Sequence, residues 1–459
     1  MRILYHIAVF FSHLTYTLLR LLGRNASHAP GVVAMAICPR YLEMVPKARI
    51  CICVTGTNGK TTAANMLTDC LTAAGYKTVS NRLGSNIAPG IAAALTNSTN
   101  WFGACKADAT VFEVDERASR LILPYVKPDF LVVTNIFRDS LKRNANPDYI
   151  FSIINDYTPA TTKLILNADD LASVALRPDN PRSYYGVAPL EGDITEPINL
   201  VSDNSTCPKC DTKLVYDYLR YHHIGHVHCP KCGFASPAAA HLFTVPDVHG
   251  NVIYDEHNGE KTEYPLVSSI VFNIYNESAV IACLSEIGLT NEKIQEIMRN
   301  TAVPDTRLKE EKIGDISVIM AMSKGQSCIS SCRTFDYVSN EPGNKVVMLV
   351  LDDYYDRKNS VEFIGWIYDV DYEFMARPGV VQVAAAGPRC WDHRVRLLMA
   401  GVEEDNILCC LDELQCTELV RTDGVDKIYI LYDTSTYNLA VKVKEKLIAR
   451  LKREEAKCE

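Results

Sequence analysis

Residues 51–67 read CICVTGTNGKTTAANML, and few stretches constrain a fold as tightly as this one. A run of β-branched and apolar residues (Ile52, Cys53, Val54, Thr55) stops at Gly56. Gly56-Thr57-Asn58-Gly59 follows as a turn, and Lys60-Thr61-Thr62 opens a segment with helical spacing at Ala63, Met66 and Leu67. Strand, glycine turn and helix start make a phosphate cradle. Glycines let backbone N–H groups approach an anion, and the helix N-terminus adds partial positive charge. Lys60 neutralises β and γ oxygens, and Thr61 is placed to hold Mg²⁺. The spacing is G-x-x-G-K-T-T, with Val54 where the longer G-x-x-x-x-G-K-T pattern has its first glycine.

The residues that follow supply a sheet around this loop. Gly75–Val79 reads as a turn into a second strand, and the polar loop Asn81–Asn86 lies at its carboxyl end. Ala109–Phe112 is a short buried strand ending in Glu113-Val114-Asp115-Glu116. Carboxylates at a strand end beside a phosphate loop are natural Mg²⁺ ligands, Glu113 first and Glu116 second; acids enriched at a helix N-terminus are the alternative. Phe130–Val133 runs into Thr134-Asn135-Ile136-Phe137-Arg138-Asp139, and Leu164–Leu166 runs into Asn167-Ala168-Asp169-Asp170. Apolar strands separated by helical lengths and ending in polar residues predict a parallel sheet with an active edge. Further on, Asn273 and Asn276 stand one turn apart at a helix start, so one is expected to cap it and the other to read an adenine.

At 459 residues the chain needs two or three domains. The expected divisions are 1–48, 49–300 with an insertion at about 200–240, and 301–459. The last contains strands at Ile316–Met320, Val346–Leu351, Val380–Val383 and Lys427–Leu431, which alternate with helices as in a second α/β domain, and an amphipathic, basic-faced helix at Val441–Lys457. The insertion holds two CPKC knuckles, Cys207/Cys210 and Cys229/Cys232. Two such pairs with hairpin spacing between them favour a tetrahedral Zn²⁺ over a redox pair, and four thiolates close the shell, so the metal is structural. His222, His223, His226 and His228 lie between the knuckles and read as surface residues or neighbours of the ligands. The remaining cysteines sit mostly in apolar runs, which points to a reducing cytosol. A net charge of −8 argues against a general nucleic-acid binder.

Residues 1–24 are apolar, but Arg20 and Arg24 end the run short of a clean membrane span. Leu4, Ile7, Phe11, Leu14, Leu18 and Leu22 follow helical spacing, so an amphipathic helix docked on the protein is expected, with a membrane-surface helix as the alternative.

GTNGKTT followed by EVDE, TNIFRDSL, LNADD and the N-x-x-N helix start resembles the ATP-binding domain of the Mur ligase family. The four-cysteine insertion and DDYYD…WIYDVDYE resemble one branch of it, the MurT-type subunits of lipid II isoglutaminyl synthases, over nearly the whole chain. The resemblance implies a Mur-ligase-type P-loop α/β domain with an inserted Cys₄ zinc ribbon and a Rossmann-like C-terminal α/β domain. It implies ATP-dependent amidation of the D-glutamate α-carboxylate in the lipid II stem peptide, at the cytoplasmic face of a membrane, with ammonia from a GatD-like glutaminase subunit. By the same resemblance, Gly56, Thr57, Asn58, Gly59, Lys60, Thr61 and Thr62 bind ATP and Mg²⁺, and Glu113 holds Mg²⁺. Asn273 and Asn276 flank the adenine, and Cys207, Cys210, Cys229 and Cys232 bind Zn²⁺. Asp356, with Asp353 in reserve, completes the partner's Cys-His site; Arg357-Lys358 follow it where the family carries glycine and aspartate. The alternatives are a Mur-type ligase that adds an amino acid without a glutaminase, and a zinc-ribbon scaffold that binds nucleotides.

Overall fold

A computed structural model describes residues 2–138, 146–300, 308–323, 327–351 and 364–458. It contains two compact units: Met1–Phe137 with Asn146–Pro197 and Asp203–Val303, and Arg138–Ala145 with Ile198–Ser202 and Pro304–Glu459.

The first unit is built on a nine-stranded sheet. Its strands are β1 (Ile50–Thr55), β2 (Thr78–Ser80), β3 (Ala109–Glu113), β4 (Phe130–Val133), β5 (Lys163–Asn167) and β6 (Arg182–Val187). A separate hairpin, β7 (Val215–Tyr221) and β8 (Ile224–His228), precedes β9 (His241–Thr244), β10 (Val252–His257) and β11 (Glu260–Pro265). The order across the sheet is β11-β10-β9-β6-β5-β4-β1-β3-β2, parallel from β2 through β9 and antiparallel for the last two strands. Cys51–Thr55 of β1 are all buried, as a central strand covered on both faces must be. The strands read from the sequence are present. Those missed, β6 and β9–β11, form the far side, away from the phosphate loop.

The second unit holds a six-stranded sheet of β12 (Leu308–Ile313), β13 (Ile316–Met322), β14 (Lys345–Val350), β15 (Val380–Ala386), β16 (Ile407–Cys410) and β17 (Lys427–Tyr432). The order is β12-β13-β17-β14-β15-β16, with only β12 antiparallel. Asp353 and Asp356 lie outside the described residues.

The N-terminal helix, Arg2–Leu21, does dock on the first unit, but with the opposite face from that expected. Tyr5, Ala8, Val9, Ser12 and His13 are buried, while Leu4, Ile7, Phe11, Leu18 and Leu22 face outward. Small residues on the inner face let the helix approach the Ala29–Ile37 and Ala88–Asn97 helices closely. There the Ser12 hydroxyl bonds Pro30 O and Thr96 Oγ1, both at 2.9 Å, and Tyr5 Oη donates to Gly103 O at 2.7 Å. Among the described residues no helix is long and apolar enough to cross a membrane.

Candidate active site

The carboxyl ends of β1, β3, β4 and β5 supply the polar groups of the site. Gly56 and Gly59 have φ of +123° and +86°, and each is hemmed in. A methyl group at Gly56 would lie 2.3 Å from Thr134 Oγ1, and one at Gly59 would lie 2.1 Å from Asn276 Oδ1. Only glycine meets both demands at these turns. The end of β4 clamps the loop between them. Thr57 N–H donates to Asn135 O at 2.8 Å and Asn58 N–H to Asn135 Oδ1 at 3.0 Å. Thr134 Oγ1 and Asn135 Nδ2 both donate to Asn58 O, at 2.6 and 3.1 Å. Phe137 N–H donates to Thr57 Oγ1 at 2.8 Å.

The Lys60–Ala73 helix begins immediately after the loop, with Thr61 exposed and Thr62 half-buried in its first turn. Lys60 Nζ donates to Gly56 O at 2.6 Å and to Glu116 Oε1 at 2.9 Å. Burial disfavours the charge on Lys60, but the Glu116 carboxylate outweighs it and holds the lysine pKa above its ordinary range; burial in turn raises Glu116.

The three acids after β3 divide their roles. Asp115 caps the following turn, accepting from the N–H groups of Arg117 and Ala118. Glu116 holds Lys60. Glu113, half-buried and beside Val54 in the sheet, accepts from Asn86 Nδ2 at 3.1 Å, and its backbone exchanges bonds with the Asn81 side chain. The polar loop 81–86 thus fixes Glu113, whose oxygens are those of the three least committed to protein.

Asn273 and Asn276 are buried on the Val271–Ile287 helix. The expected cap is absent: Ile270 stands at the N-cap and no side chain caps the helix. Asn273 Nδ2 donates to Ser268 Oγ at 3.1 Å, and Asn276 sits against Gly59, so this pair borders the phosphate loop itself.

The four cysteines converge, with Sγ–Sγ separations of 3.5 Å for Cys207–Cys232 and for Cys210–Cys229, and all four sulfurs within 4.8 Å of one another. The two knuckles fold alike. Asp211 N–H bonds Cys207 O and Gly233 N–H bonds Cys229 O, while Cys207 and Cys229 N–H groups bond Thr212 O and Phe234 O. Thiolates around Zn²⁺ at about 2.3 Å stand about 3.8 Å apart, so the set fits a tetrahedral ion. Hydrogen bonds from Thr212 pull the Cys210 thiol down to about 6, whereas Cys232, despite a hydrogen bond from Phe234 N–H, is pushed up to about 12 by burial and its bonds to the other three cysteines.

The hairpin between the knuckles is no surface appendage. His226 and His228 are on its outside, paired with Asp217. His222 and His223, expected at the surface or near the ligands, are instead buried at its turn, where His223 packs on Phe137 at 4.3 Å and pairs with Asp170. Arg220 is buried with Asp169 at 3.1 Å, and Asp169 also accepts from Tyr218 at 3.0 Å and from Tyr275 at 2.6 Å. These links tie the hairpin to the end of β5, to the loop-bracing Phe137 and to the helix carrying Asn276. Only the paired acids at the end of β5 hinted at them in the sequence.

The Mur ligase middle-domain model matches residues 54–187, and the MurT ligase C-terminal model matches residues 329–438. Over these two stretches the chain resembles the Mur ligase family. It is similar to the lipid II isoglutaminyl synthase subunit MurT of Staphylococcus aureus, 28% identical over 84% of this chain and 85% of that one. The MurT subunit of Streptococcus pneumoniae is 25% identical over 94% of each chain. Among solved structures, a pseudomurein peptide ligase type C from Methanothermus fervidus superposes with a TM-score of 0.62 at 19% identity, covering 88% of this chain and 79% of that one. MurF from Acinetobacter baumannii superposes at 0.58 and 15% identity, over 92% of this chain and 80% of its own. The Mur ligase middle-domain match implies ATP and Mg²⁺ as cofactors, and together with the MurT relatives it marks the chain as an ATP-dependent ligase.

Proposed function

We propose that this chain is the ligase subunit of a glutamine-dependent enzyme that amidates the D-glutamate α-carboxylate of the lipid II stem peptide, forming D-isoglutamine. The observation that carries the reading is similarity to MurT subunits along 84–94% of the chain, which includes the region of the four cysteines. The clamped phosphate loop supports it. Gly56–Thr62 bind the triphosphate, Thr61 and Glu113 hold Mg²⁺, and Asn273 and Asn276 stand at the nucleotide's edge of the loop. Cys207, Cys210, Cys229 and Cys232 hold a structural Zn²⁺.

A carboxylate is unreactive towards ammonia at neutral pH. ATP supplies a phosphoryl group that converts it to an acyl phosphate and releases ADP; ammonia attacks the acyl carbon, and phosphate leaves. Lys60 contributes a fixed positive charge where charge develops on the transferred group, and Glu116 keeps that lysine protonated and aimed. A GatD-like glutaminase subunit supplies the ammonia, and Asp356 or Asp353 completes its site. The lipid-linked substrate places the reaction at the cytoplasmic membrane surface.

The test is co-purification with a candidate glutaminase, followed by ATP- and glutamine-dependent amidation of lipid II. Lys60→Ala should lower turnover by at least a thousandfold with zinc content and fold unchanged. Retained activity would sink the assignment, and so would amide formation by the isolated chain with an amino-acid acceptor.

A further inference from the structure

The outward face of the first helix has the composition of a buried one. At about 100° per residue, its large apolar side chains occupy an arc of roughly 120° opposite the docked face. Ile3, Ile7, Phe10, Phe11, Leu18 and Leu21 are each 40–78% exposed. A neighbouring loop extends the patch. Trp101 stacks on His13 at 5.0 Å and meets Phe10 edge-on, and Phe102 beside it is 83% exposed. The loop is held rigidly. Asn100 Oδ1 accepts from the N–H groups of Phe102 and Ala104, and Tyr5 Oη and the His6 ring bond Gly103 O and Phe102 O. A continuous apolar patch of this kind on a rigid support marks an interaction surface.

Charge identifies the partner. The chain as a whole carries −8, yet no acid occurs before Glu43, and Arg2, Arg20 and Arg24 stand at the two ends of the helix. We propose that this face seats the protein on an anionic phospholipid bilayer. The Arg2–Leu21 helix lies flat in the interface, the apolar arc enters the acyl boundary, Trp101 and Phe102 sit at headgroup depth, and the arginines meet lipid phosphates. A second copy is a poorer occupant, because two-fold pairing of helices that lack acids sets like charges together. The inference extends the lipid-linked reading of the substrate by naming the face that meets the membrane. It rests on geometry that is independent of the amidation chemistry.

The experiment is co-sedimentation of the full chain with vesicles of phosphatidylglycerol and phosphatidylcholine, and with phosphatidylcholine alone, neither containing lipid II. The wild-type protein should partition onto the anionic vesicles at least tenfold more than the F10E/F11E variant, and less as salt rises. Phe102→Ser, on the loop, should lower partition several-fold without touching the helix. Melting temperature and amidation of detergent-solubilised lipid II should be unchanged in both variants, so a failure of the amidation reading shows separately. Equal partition of wild type and both variants overturns the proposal. A wild-type dimer that F10E/F11E dissolves, with no vesicle binding, overturns it in favour of self-association.

Discussion

Replacing Gly59 by alanine tests the phosphate loop at its tightest point. At φ of +86° any residue with a Cβ costs about 1–2 kcal/mol. The new methyl group also meets Asn276 Oδ1 at 2.1 Å, Cγ at 3.0 Å and Nδ2 at 3.2 Å, so the amide must swing away. That motion gives up its bond to Asn273 Oδ1, worth about 1 kcal/mol. Together the two terms reach about 2–3 kcal/mol. Because nucleotide binding requires the cradle shape, the cost appears as a loss of roughly 30- to 150-fold in ATP affinity. The three atoms in the way all lie beyond the Cβ of Asn276, so adding Asn276→Ala removes the clash and leaves the backbone term. On the Asn276→Ala background, Gly59→Ala should therefore cost only about 5- to 30-fold. Calorimetric titration of ATP into wild type, both single variants and the double variant decides the matter. If Gly59→Ala costs as much on the Asn276→Ala background as on the wild type, Asn276 is not the neighbour that limits this loop.

Two further outcomes follow from buried groups. Burial pushes the Glu277 carboxyl up to about 8, so the folded chain keeps a proton that the unfolded chain releases above about pH 4.3. Its contribution is complete below that lower value and is lost as pH rises towards 8, at about 1.4 kcal/mol per pH unit; thermal melts from pH 5 to 8 should fall for wild type and flatten for Glu277→Gln, and parallel curves would remove Glu277 as the cause. Cys210→Ser should abolish zinc binding, measured by elemental analysis. Through the contact between His223 and Phe137 it should also weaken nucleotide binding by about tenfold, a packing and hydrogen-bond effect of about 1.4 kcal/mol; full nucleotide affinity in the zinc-free protein would show that the hairpin turn seats itself without metal.

What the sequence made legible was local. The β1 strand, glycine turn and lysine occupy consecutive positions, and the spacing of the CPKC pairs is enough to foretell that their four sulfurs converge. The network of Asp169, Arg220 and Tyr275 was not legible, because its members are 51 and 106 residues apart and each looks ordinary in its own segment. His222 and His223 were misplaced for the same reason: a histidine in a hairpin turn is usually solvated, and only the position of Phe137 makes this turn an interior one. The first helix shows a different limit. Periodicity reveals that a helix has two faces, but which one docks is decided by its neighbours, here by the hydrogen bonds open to Ser12 and Tyr5. β10 and β11 carry too little apolar content to read as strands. Their best signal was Asn258-Gly259, whose positive φ values of 51° and 80° make the two-residue hairpin between them.

The route of the chain from β6 to β9 bears on any attempt to trim this protein. The two strands are neighbours and parallel, so the backbone must travel the full length of the sheet before it can re-enter beside itself. Proteins usually make that return with a helix; here residues 188–240 contain none, and the cysteine hairpin makes the trip. The ribbon is therefore a splice in the sheet's wiring. Cutting it out and closing the gap with a short linker would force β9 to run backwards or detach, carrying β10 and β11 with it. A version without the ribbon is reachable only by giving the chain another way home.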